Sequence, residues 1–473
     1  MHGYIDTIKS YLNFLRYFEI PSDPLAIGLY IVLKLFVLCF IALIVIRISK
    51  RDKTQIVILL LLGLTIMGLG LRLWEAANTY RLHVTPAKLI GDELRYDDLG
   101  WSITQGKFFE WPGSTPIYPL FLALCYLIFG HSYSAVIYVQ AFIGAGTIPL
   151  TYFLARRFTD RRYSLLSAML IAVHPSLIFQ VGHIYTEVLY TNLFMLTLIS
   201  LLWALEKPII KRCFASGLIL GVTTLCRPAT ALIPFILTIL MPHTWSLKRR
   251  AALLVVFTLT MIAVITPWAY HNYRAYHVFM PFSLSQTMFW HGTPEFYHIM
   301  KRKPNAITNV WNEELNPSVN GGHNPLTIEG DTYFNERAIA SILAEPGIFL
   351  WYSLQKLLYF WIGNPAADWD WPLNLKKLKN YYSITQIINI FGARLLTLVG
   401  ALVGLIILRH RIRDFLPLLI ICFYFMIIYA GLIPVARYSE PLYPILAIII
   451  SCAVREISIA ASNLKIKIDK SRI

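Results

Sequence analysis

The sequence predicts an all-α polytopic membrane protein in which about eleven helices cross a lipid bilayer. The first observation is composition: of 473 residues, 57% are hydrophobic and 14% are charged. A soluble domain carries about 25% charged residues, so this chain cannot cover itself with polar surface and needs lipid as its solvent. The second is a series of apolar runs near the ~20 residues that span a bilayer. The third is that basic residues lie in short clusters between these runs.

The apolar runs can be placed in order along the chain. We predict spans at 25–47, 55–74, 133–155, 163–181, 187–205, 213–227, 229–242, 251–269, 383–408, 415–433 and 440–456. The runs at 213–227 and 229–242 are short, and we expect them to form a tight helical pair that turns at Arg227-Pro228. A proline favours a turn there because it disfavours helical backbone in the residue before it.

The basic clusters predict the orientation of the chain. They occur at 50–53, 156–162, 211–212, 248–250 and 409–413 and in the C-terminal tail. If the predicted spans alternate, all of these clusters fall on one side, which the positive-inside rule makes cytoplasmic. The N-terminus is then outside and the C-terminus inside. The formal charge of +16 therefore reflects membrane topology rather than nucleic-acid binding.

Two long connections, 75–132 and 270–382, are predicted on the extracytoplasmic side, and loops of this length are usually functional. Each contains an apolar, aromatic segment, at 116–130 and 346–363, that we predict as a helix on or dipping into the membrane surface. Four regions follow: an interfacial N-terminal helix rather than a signal peptide (1–24), a transmembrane module (25–269) with the first long loop, an extracytoplasmic loop region (270–382), and C-terminal transmembrane helices with a cytoplasmic tail (383–473).

Some function classes receive no support from the sequence. It contains no Walker loop and no GxGxxG on a predicted strand, so nucleotide binding is not indicated. The six cysteines lie within apolar stretches and include no CxxC pair, which is typical of small core residues rather than of a disulfide framework.

The first long loop concentrates four acids, Asp92, Glu93, Asp97 and Asp98, within seven residues. A solvated loop needs charge, and that alone could explain them. A carboxylate partly desolvated beside lipid would instead have a raised pKa and could take a proton. Clustered acids could also bind a divalent cation. The spacing leaves all three interpretations open.

A second candidate is Glu187, at the extracytoplasmic start of a predicted helix. His183 precedes it by four residues, which would place both side chains on one helix face. An ionisable residue at the edge of a span is costly and indicates function. The alternative is an acid that complements the helix dipole, which is common.

The third set is three arginines at predicted extracytoplasmic span ends: Arg227, Arg274 and Arg437. Arginines beside tyrosine and tryptophan commonly snorkel to the interface. The positive-inside bias makes outside arginines less expected, however. Three guanidinium groups at one level could grip a phosphate at the bilayer surface.

Six sequence blocks together resemble the GT-C fold glycosyltransferases that use polyprenyl-phosphate sugars, the group of the protein O-mannosyltransferases and the lipid A aminoarabinose transferase. The resemblance covers roughly 55–450 and rests on GDELRY (91–96), PIYPLFLALCYLIFG (116–130), TEVLYTNLF (186–194), LCRPATALIPF (225–235), TPWAYHNYRAYHVFMPFS (266–283) and ARYSEPLYP (436–444). The order and predicted membrane side of the blocks make the resemblance specific.

The resemblance implies a GT-C fold and an enzyme that moves a hexosyl or pentosyl group from a polyprenyl-phosphate donor to a hydroxyl of a lipid, glycan or protein, with inversion. It implies that Asp92 is the general base and that Glu93 and Glu187 orient Asp92 or the acceptor. The donor phosphate would be held by Arg227, Arg274 and Arg437, with Arg437 favoured. The sugar or acceptor pocket would be lined by Tyr96, Trp101, His183, His271 and Tyr438.

The chain departs from this family pattern in several places. Many relatives have a basic residue where this chain has Ser114-Thr115-Pro116, which puts one phosphate contact in doubt. The predicted span 25–47 is additional. The acceptor motif WWD of oligosaccharyltransferases is missing, and DWDW at 368–371 is only a distant echo, so transfer of whole oligosaccharides to Asn is disfavoured.

No cofactor is required by these patterns. The Asp92-Glu93 pair and His183 could ligate a divalent cation, although no tight His/Asp spacing demands one. The expected location is a bacterial inner membrane with the active site on the periplasmic side. The alternatives are a flippase of lipid-linked sugars, which would place ionisable residues at mid-membrane and often shows repeats, and a structural subunit without activity.

Overall fold

The computed structural model describes residues 54–82, 89, 91–109, 112–207, 209–241, 245–285, 287–302, 321–363, 384–432 and 435–471. These residues form helices and turns, with no strand among them. The α-helices are α1 (Thr54–Leu82), α2 (Asp92–Thr104), α3 (Ile117–Phe129), α4 (Tyr133–Ala155), α5 (Arg161–Ala172), α6 (Pro175–Phe179), α7 (Glu187–Glu206), α8 (Ile210–Cys226), α9 (Ile233–Leu240), α10 (Leu247–Tyr276), α11 (Pro294–Arg302), α12 (Ile328–Ala344), α13 (Pro346–Trp361), α14 (Ile384–Ile407), α15 (Ile412–Gly431) and α16 (Tyr443–Ser471).

Single 3-10 turns or short 3-10 helices separate several of these α-helices. They are Gln180–Gly182, Pro228–Thr230, Trp290–Gly292, Arg409–Arg411 and Ala436–Leu442. The last one precedes α16 directly and carries Arg437 and Tyr438.

Seven helices in the described part of the chain are long and apolar enough to cross a membrane, or eight if one bent pair counts as a span. They are Thr54–Asn78, Tyr133–Ala155, Glu187–Glu206, Leu247–Tyr276, Ile390–Ile407, Arg409–Gly431 and Ala436–Leu464. The membrane-helix class is confirmed, but the expected count of about eleven full-length spans is not met by these residues. The predicted interfacial helix 1–24, the predicted span 25–47 and the DWDW stretch 368–371 lie outside the described residues.

The two spans predicted as short, 213–227 and 229–242, are indeed short helices. Helix α8 has 17 residues and α9 has eight. Between them Arg227 is extended and Pro228 begins a 3-10 turn, so the predicted turn at this dipeptide is confirmed. Helix α8 lies close to α10 because it carries glycine: a Cβ on Gly217 would lie 2.6 Å from the carbonyl oxygen of Phe257.

The predicted span 163–181 is bent by 51° between α5 and α6, where His174 precedes Pro175. The break frees carbonyl groups at the end of α5, and a buried arginine of α1 satisfies them. Arg72 donates to the carbonyl oxygens of Ala172 at 3.2 Å and Ile171 at 3.3 Å. At the bend, the guanidinium of Arg72 therefore caps the C-terminus of α5.

Two of the basic clusters predicted to share one side, 156–162 and 409–413, meet at one end of the helix bundle. Ion pairs tie these helix ends together: Arg157 with Glu206 at 2.9 Å, Arg455 with Asp160 at 3.0 Å and Arg411 with Glu456 at 3.0 Å. Their assignment to the cytoplasm stays a prediction from the positive-inside rule.

The first long connection is mostly helical rather than irregular. Helix α2 packs on α3 at Gly100, where a Cβ would lie 2.6 Å from the Cβ of Leu122. The segments predicted as surface helices are indeed helical, as α3 and α13. Both leave large apolar side chains exposed, including Leu127 and Leu354. Their placement at the membrane surface remains a prediction.

A buried ion pair, together with a serine hydroxyl, joins α6, α14 and the 3-10 segment before α16. The Nη2 of Arg394 donates to Glu440 at 3.0 Å, and its Nε donates to Ser176 at 2.7 Å. Ser176 in turn donates to Glu440 at 3.2 Å. All three side chains are at most 9% exposed, so each charge depends on the other for compensation.

We expect Arg394→Met to destabilise the protein by about 3–5 kcal/mol, because it leaves the buried Glu440 carboxylate without its cation. Thermal unfolding in detergent measures the effect, and the exposed Arg156→Gln is the control, with a change within about 0.5 kcal/mol. The double variant Arg394→Met/Glu440→Gln should recover part of the loss. A double variant as unstable as the sum of the single ones would show that the two groups are not coupled.

Candidate active site

The acid-rich segment GDELRYDDLGWSIT forms the start and body of α2 rather than the loop that the sequence suggested. Gly91 at its N-cap has φ 57°, a left-handed conformation that suits glycine, and the helix begins at Asp92. Acids in the first turn complement the helix dipole. Glu93 and Asp97 share the buried face, whereas Asp98 is exposed. A solvated charge therefore explains Asp98 only.

Both oxygens of Asp92 are paired with arginine. The Nη2 of Arg95, one helical turn later, lies 2.5 Å from Oδ1. The Nη2 of Arg437 lies 2.5 Å from Oδ2. The acid of the first block and the arginine of the last block of the sequence are thus in direct contact.

Glu187 begins α7 and also meets two arginines. Its Oε1 lies 3.0 Å from the Nη1 of Arg227 and 3.2 Å from the Nε of Arg437. The carboxylate is only 3% exposed. The dipole interpretation and the functional interpretation of Glu187 therefore both fit its position, because it starts a helix and is paired with two cations.

Tyrosine rings pack against the guanidinium groups of Arg437 and Arg227. The guanidinium of Arg437 lies 4.0 Å from the ring centre of Tyr185, and that of Arg227 lies 4.0 Å from the ring centre of Tyr438. Such stacking restricts a guanidinium while leaving its edge free to donate hydrogen bonds. The cluster thereby combines residues of α2, α7, the turn after α8 and the 3-10 segment before α16.

The arginines set the protonation state of Asp92. Burial alone would raise the pKa of its carboxyl, but the positive charges of Arg437 and Arg95 outweigh burial and hold this pKa below its usual value. The expectation of a raised pKa for a desolvated acid in this segment is therefore wrong for Asp92. The carboxylate is ionised at neutral pH, and while both arginines hold it, it is a weak base.

Glu93 anchors the start of α2 to the segment before α7. Its Oε1 lies 3.0 Å from the Nδ1 of His183 and accepts the backbone N–H of Ile184 at 3.2 Å. His183 has extended backbone before α7, so the predicted helix face shared with Glu187 is wrong. Burial lowers the pKa of His183, but the hydrogen bond and charge of Glu93 outweigh it and raise this pKa.

The remaining predicted site residues divide into two groups. Tyr96 and Trp101 lie on α2, where the ring of Tyr96 meets Tyr118 edge-on at 5.0 Å and Trp101 stacks on His131 at 4.4 Å. His271 instead stacks on Trp268 of α10 at 5.2 Å, and Arg274 is exposed in the last turn of the same helix. Within the described contacts, neither His271 nor Arg274 joins the cluster around Arg437.

Residues 113–271 match a protein family described as dolichyl-phosphate-mannose-protein mannosyltransferase. Among curated protein sequences, none matches the chain.

Solved structures give matches over most of the chain. The apo oligosaccharyltransferase of Archaeoglobus fulgidus superposes with a TM-score of 0.53 at 14% identity, covering 89% of this chain and 52% of that one. The same enzyme tethered to an acceptor peptide with the NVT sequon gives 0.53 at 16% identity, with 86% and 50% covered. ArnT of Cupriavidus metallidurans bound to undecaprenyl phosphate gives only 0.42 at 15% identity, with 85% and 79% covered.

The chain has the GT-C glycosyltransferase fold. The fold expected from the sequence blocks is therefore confirmed, and at this low identity the likeness concerns the fold alone. The chain spans about half the length of the archaeal oligosaccharyltransferase, with 52% of that protein covered.

Two members of the arginine cluster on this GT-C scaffold were missed from the sequence. Arg95 follows Asp92 by three residues, a spacing that would have indicated the pair if the segment had been interpreted as a helix. Tyr185 gives no such signal, because only the fold brings it over Arg437. The sequence also did not predict the contacts of Asp97 with Tyr126 and His131. His131 lies 3.0 Å from the Asp97 carboxylate, which accepts a short hydrogen bond from Tyr126.

A metal ion does not fit the candidate site well. No group of three or more His, Cys, Asp or Glu side chains in the described ranges is arranged to hold one. The carboxylates of Asp92 and Glu187 face guanidinium groups, whose positive charges oppose a divalent cation. Glu93 and His183 bond to each other and supply only two ligands.

We expect the Glu93–His183 pair to make stability depend on pH. Because the folded pKa of His183 is raised, its stabilisation is fully present below the unfolded value of about 6.5 and is lost as pH rises through the folded pKa. Melting temperatures between about pH 5 and about pH 8 measure this decline. His183→Gln should flatten it, whereas His410→Gln, at an exposed site, should not. Equal slopes in wild type and His183→Gln would contradict the assignment.

Proposed function

We propose that the protein is a membrane glycosyltransferase that moves one sugar from a polyprenyl-phosphate donor to a hydroxyl acceptor. The observation that carries the proposal is that one arginine, Arg437, contacts two of the acids singled out from the sequence, Asp92 at 2.5 Å and Glu187 at 3.2 Å. A base and a phosphate-binding cation are thereby within one site, as transfer from a phosphate donor requires. The family description of 113–271 and the GT-C fold support it.

In this proposal Arg227 and Arg437 bind the donor phosphate. Arg437 is buried and Arg227 is partly buried. Each guanidinium is planar, can donate two hydrogen bonds to phosphate oxygens, and lies against a tyrosine ring. The buried Thr115 belongs to the Ser114-Thr115-Pro116 stretch in which the resemblance leads us to expect a basic residue, and its hydroxyl donates to the carbonyl oxygen of Cys226 at 3.1 Å. Arg227 follows Cys226 directly, so we infer that it supplies the positive charge missing at Thr115. Arg274 is exposed outside the cluster, so it is omitted.

The proposed chemistry follows from these positions. Asp92 takes the proton of the acceptor hydroxyl as the oxygen attacks the anomeric carbon, and the bond to the phosphate oxygen breaks with inversion. The negative charge that develops on the leaving phosphate is stabilised by Arg227 and Arg437. Glu187 orients the two arginines rather than the acceptor. Glu93 positions Asp92 by fixing the start of α2 on His183 and Ile184.

We propose that Tyr438, Tyr96 and Trp101 line the sugar pocket. Tyr438 neighbours Arg437 in the chain and lies under Arg227. Tyr96 is one turn after Asp92 on α2, and Trp101 lies further along that helix. We propose that the acceptor approaches along α2. The extracytoplasmic side and a bacterial inner membrane remain part of the proposal and rest on the charge distribution.

We expect Asp92→Asn to lower the rate of sugar transfer by about 10²- to 10⁴-fold, because the acceptor proton loses its base. The assay uses full-length protein in lipid nanodiscs with a panel of radiolabelled polyprenyl-phosphate sugars and measures transfer to water or an added acceptor. Asp98→Asn, an exposed acid of the same helix, is the matched control. Full transfer by a folded Asp92→Asn variant would refute the base assignment. Donor exchange between leaflets without any transfer would favour a flippase.

We expect Arg437→Gln and Arg227→Gln each to weaken binding of a polyprenyl phosphate by about 10- to 100-fold, since a hydrogen bond to a charged group contributes about 1.5–3 kcal/mol. Equilibrium binding of radiolabelled undecaprenyl phosphate to the purified protein measures this. The control is Arg156→Gln, at the opposite end of the bundle. Unchanged affinity in both site variants would show that the phosphate binds elsewhere.

A further inference from the structure

The ion pairs of Asp92 pose a chemical problem for a general base. Oδ1 faces Arg95 and Oδ2 faces Arg437, each at 2.5 Å. A base must bring an oxygen within hydrogen-bond reach of the hydroxyl whose proton it takes. In this arrangement each oxygen already accepts one strong, charge-assisted bond. A second lone pair remains on each oxygen, but the two cations hold the carboxylate weakly basic, so release from one arginine makes Asp92 a stronger base.

The two arginines differ in their freedom to leave. Arg95 belongs to α2, three residues after Asp92, and moves with it as part of the same helix. Arg437 belongs to the separate 3-10 segment Ala436–Leu442, which comes from the far end of the chain. Relative motion of a side chain or a segment can therefore separate Asp92 from Arg437 without disturbing α2.

Arg437 has other partners that remain when it leaves Asp92. Its Nε lies 3.2 Å from Glu187, and its guanidinium lies 4.0 Å from the ring centre of Tyr185. These contacts hold the cation in the site. The Nη2 that binds Asp92 is the part that would turn to a new anion, so the exchange replaces one charge-assisted bond by another.

A phosphate is the anion that fits this exchange. A guanidinium fork binds phosphate oxygens in a bidentate manner, and Arg227, which contacts the same Oε1 of Glu187 as Arg437 does, offers a second guanidinium. Once the phosphate neutralises Arg437, the positive charge that keeps Asp92 ionised and weakly basic is diminished. Its burial then acts in the opposite direction and favours proton uptake.

We propose that the donor phosphate displaces Asp92 from Arg437, so that the base is released only when the donor is bound. This inference rests on the proposed function. It predicts compulsory order, in which the donor binds before the acceptor can be deprotonated. It also assigns Arg437 a second role, as the residue that couples phosphate binding to the state of Asp92.

The coupling can be tested by the reactivity of individual carboxyl groups. Full-length protein in detergent is treated with a hydrophobic carbodiimide, with and without saturating farnesyl phosphate, and the modified residues are identified by peptide mass spectrometry. We expect farnesyl phosphate to raise modification of Asp92 severalfold and to leave exposed Asp98 unchanged. Farnesol, which lacks the phosphate, should have no effect.

Two variants change the reactivity of Asp92 without any ligand, so that shielding of this carboxyl by bound farnesyl phosphate does not affect the result. Arg437→Gln should show high modification of Asp92 without ligand and no further rise with it. Arg437→Lys, which keeps the positive charge, should keep modification low. The inference is overturned if bound farnesyl phosphate leaves Asp92 unchanged and Arg437→Gln is no more reactive than wild type.

A separate binding measurement distinguishes the two proposals. If farnesyl phosphate binds but Asp92 reactivity does not respond in either protein, only the coupling fails and the proposed function stands. If it does not bind at all, both the proposed donor site and the coupling fail.

Discussion

The guanidinium of Arg437 is the interaction on which the arrangement of the site depends. It sits between the carboxylates of Asp92 and Glu187 and is 8% exposed. Two acids so close together in a poorly solvated site would repel each other and resist ionisation. A shared arginine, which stays protonated, removes that repulsion and fixes the start of α2 against the start of α7. A second arginine, Arg227 in the turn after α8, adds a further positive charge beside Glu187.

The same requirement for local charge compensation explains the polar groups deeper in the bundle. Arg72 has no exposed surface and donates to carbonyl groups freed at the bend between α5 and α6. Arg394 is buried against Glu440 and Ser176. Lys356 of α13 donates to the carbonyl oxygens of Gly292 and Leu432 at 2.9 and 3.0 Å, and burial lowers its pKa to about 7. In an apolar surrounding an unpaired charge or carbonyl is costly, so these cations fix the irregular segments of the fold.

The irregular segments are also where the candidate site lies. The turn at Arg227, the extended segment before Glu187 and the 3-10 helix before α16 each interrupt a regular helix at the same end of the bundle. The basic clusters and their ion pairs occupy the opposite end. In the function proposed above, the acid-and-arginine end binds the donor phosphate, and the basic clusters at the opposite end orient the chain in the membrane.

The sequence by itself determined the membrane-helix class and most helix positions, because apolar runs and helix length are local properties set by the bilayer. The GT-C fold was implied by the resemblance of its sequence blocks to that family. It also identified Asp92, Glu187, Arg227 and Arg437 individually. Tertiary structure decided which of these residues meet, because sequence spacing does not show long-range contacts. Asp92, one partner of Arg437, is 345 positions away from it, whereas Arg274, which has a similar local sequence pattern, is exposed. Local reasoning failed where His183 was placed on the helix face of Glu187: its backbone is extended before α7 begins, and it pairs with Glu93 instead. It failed again for the pKa of Asp92, because burial is a property of one residue whereas the opposing charges come from a distant part of the chain.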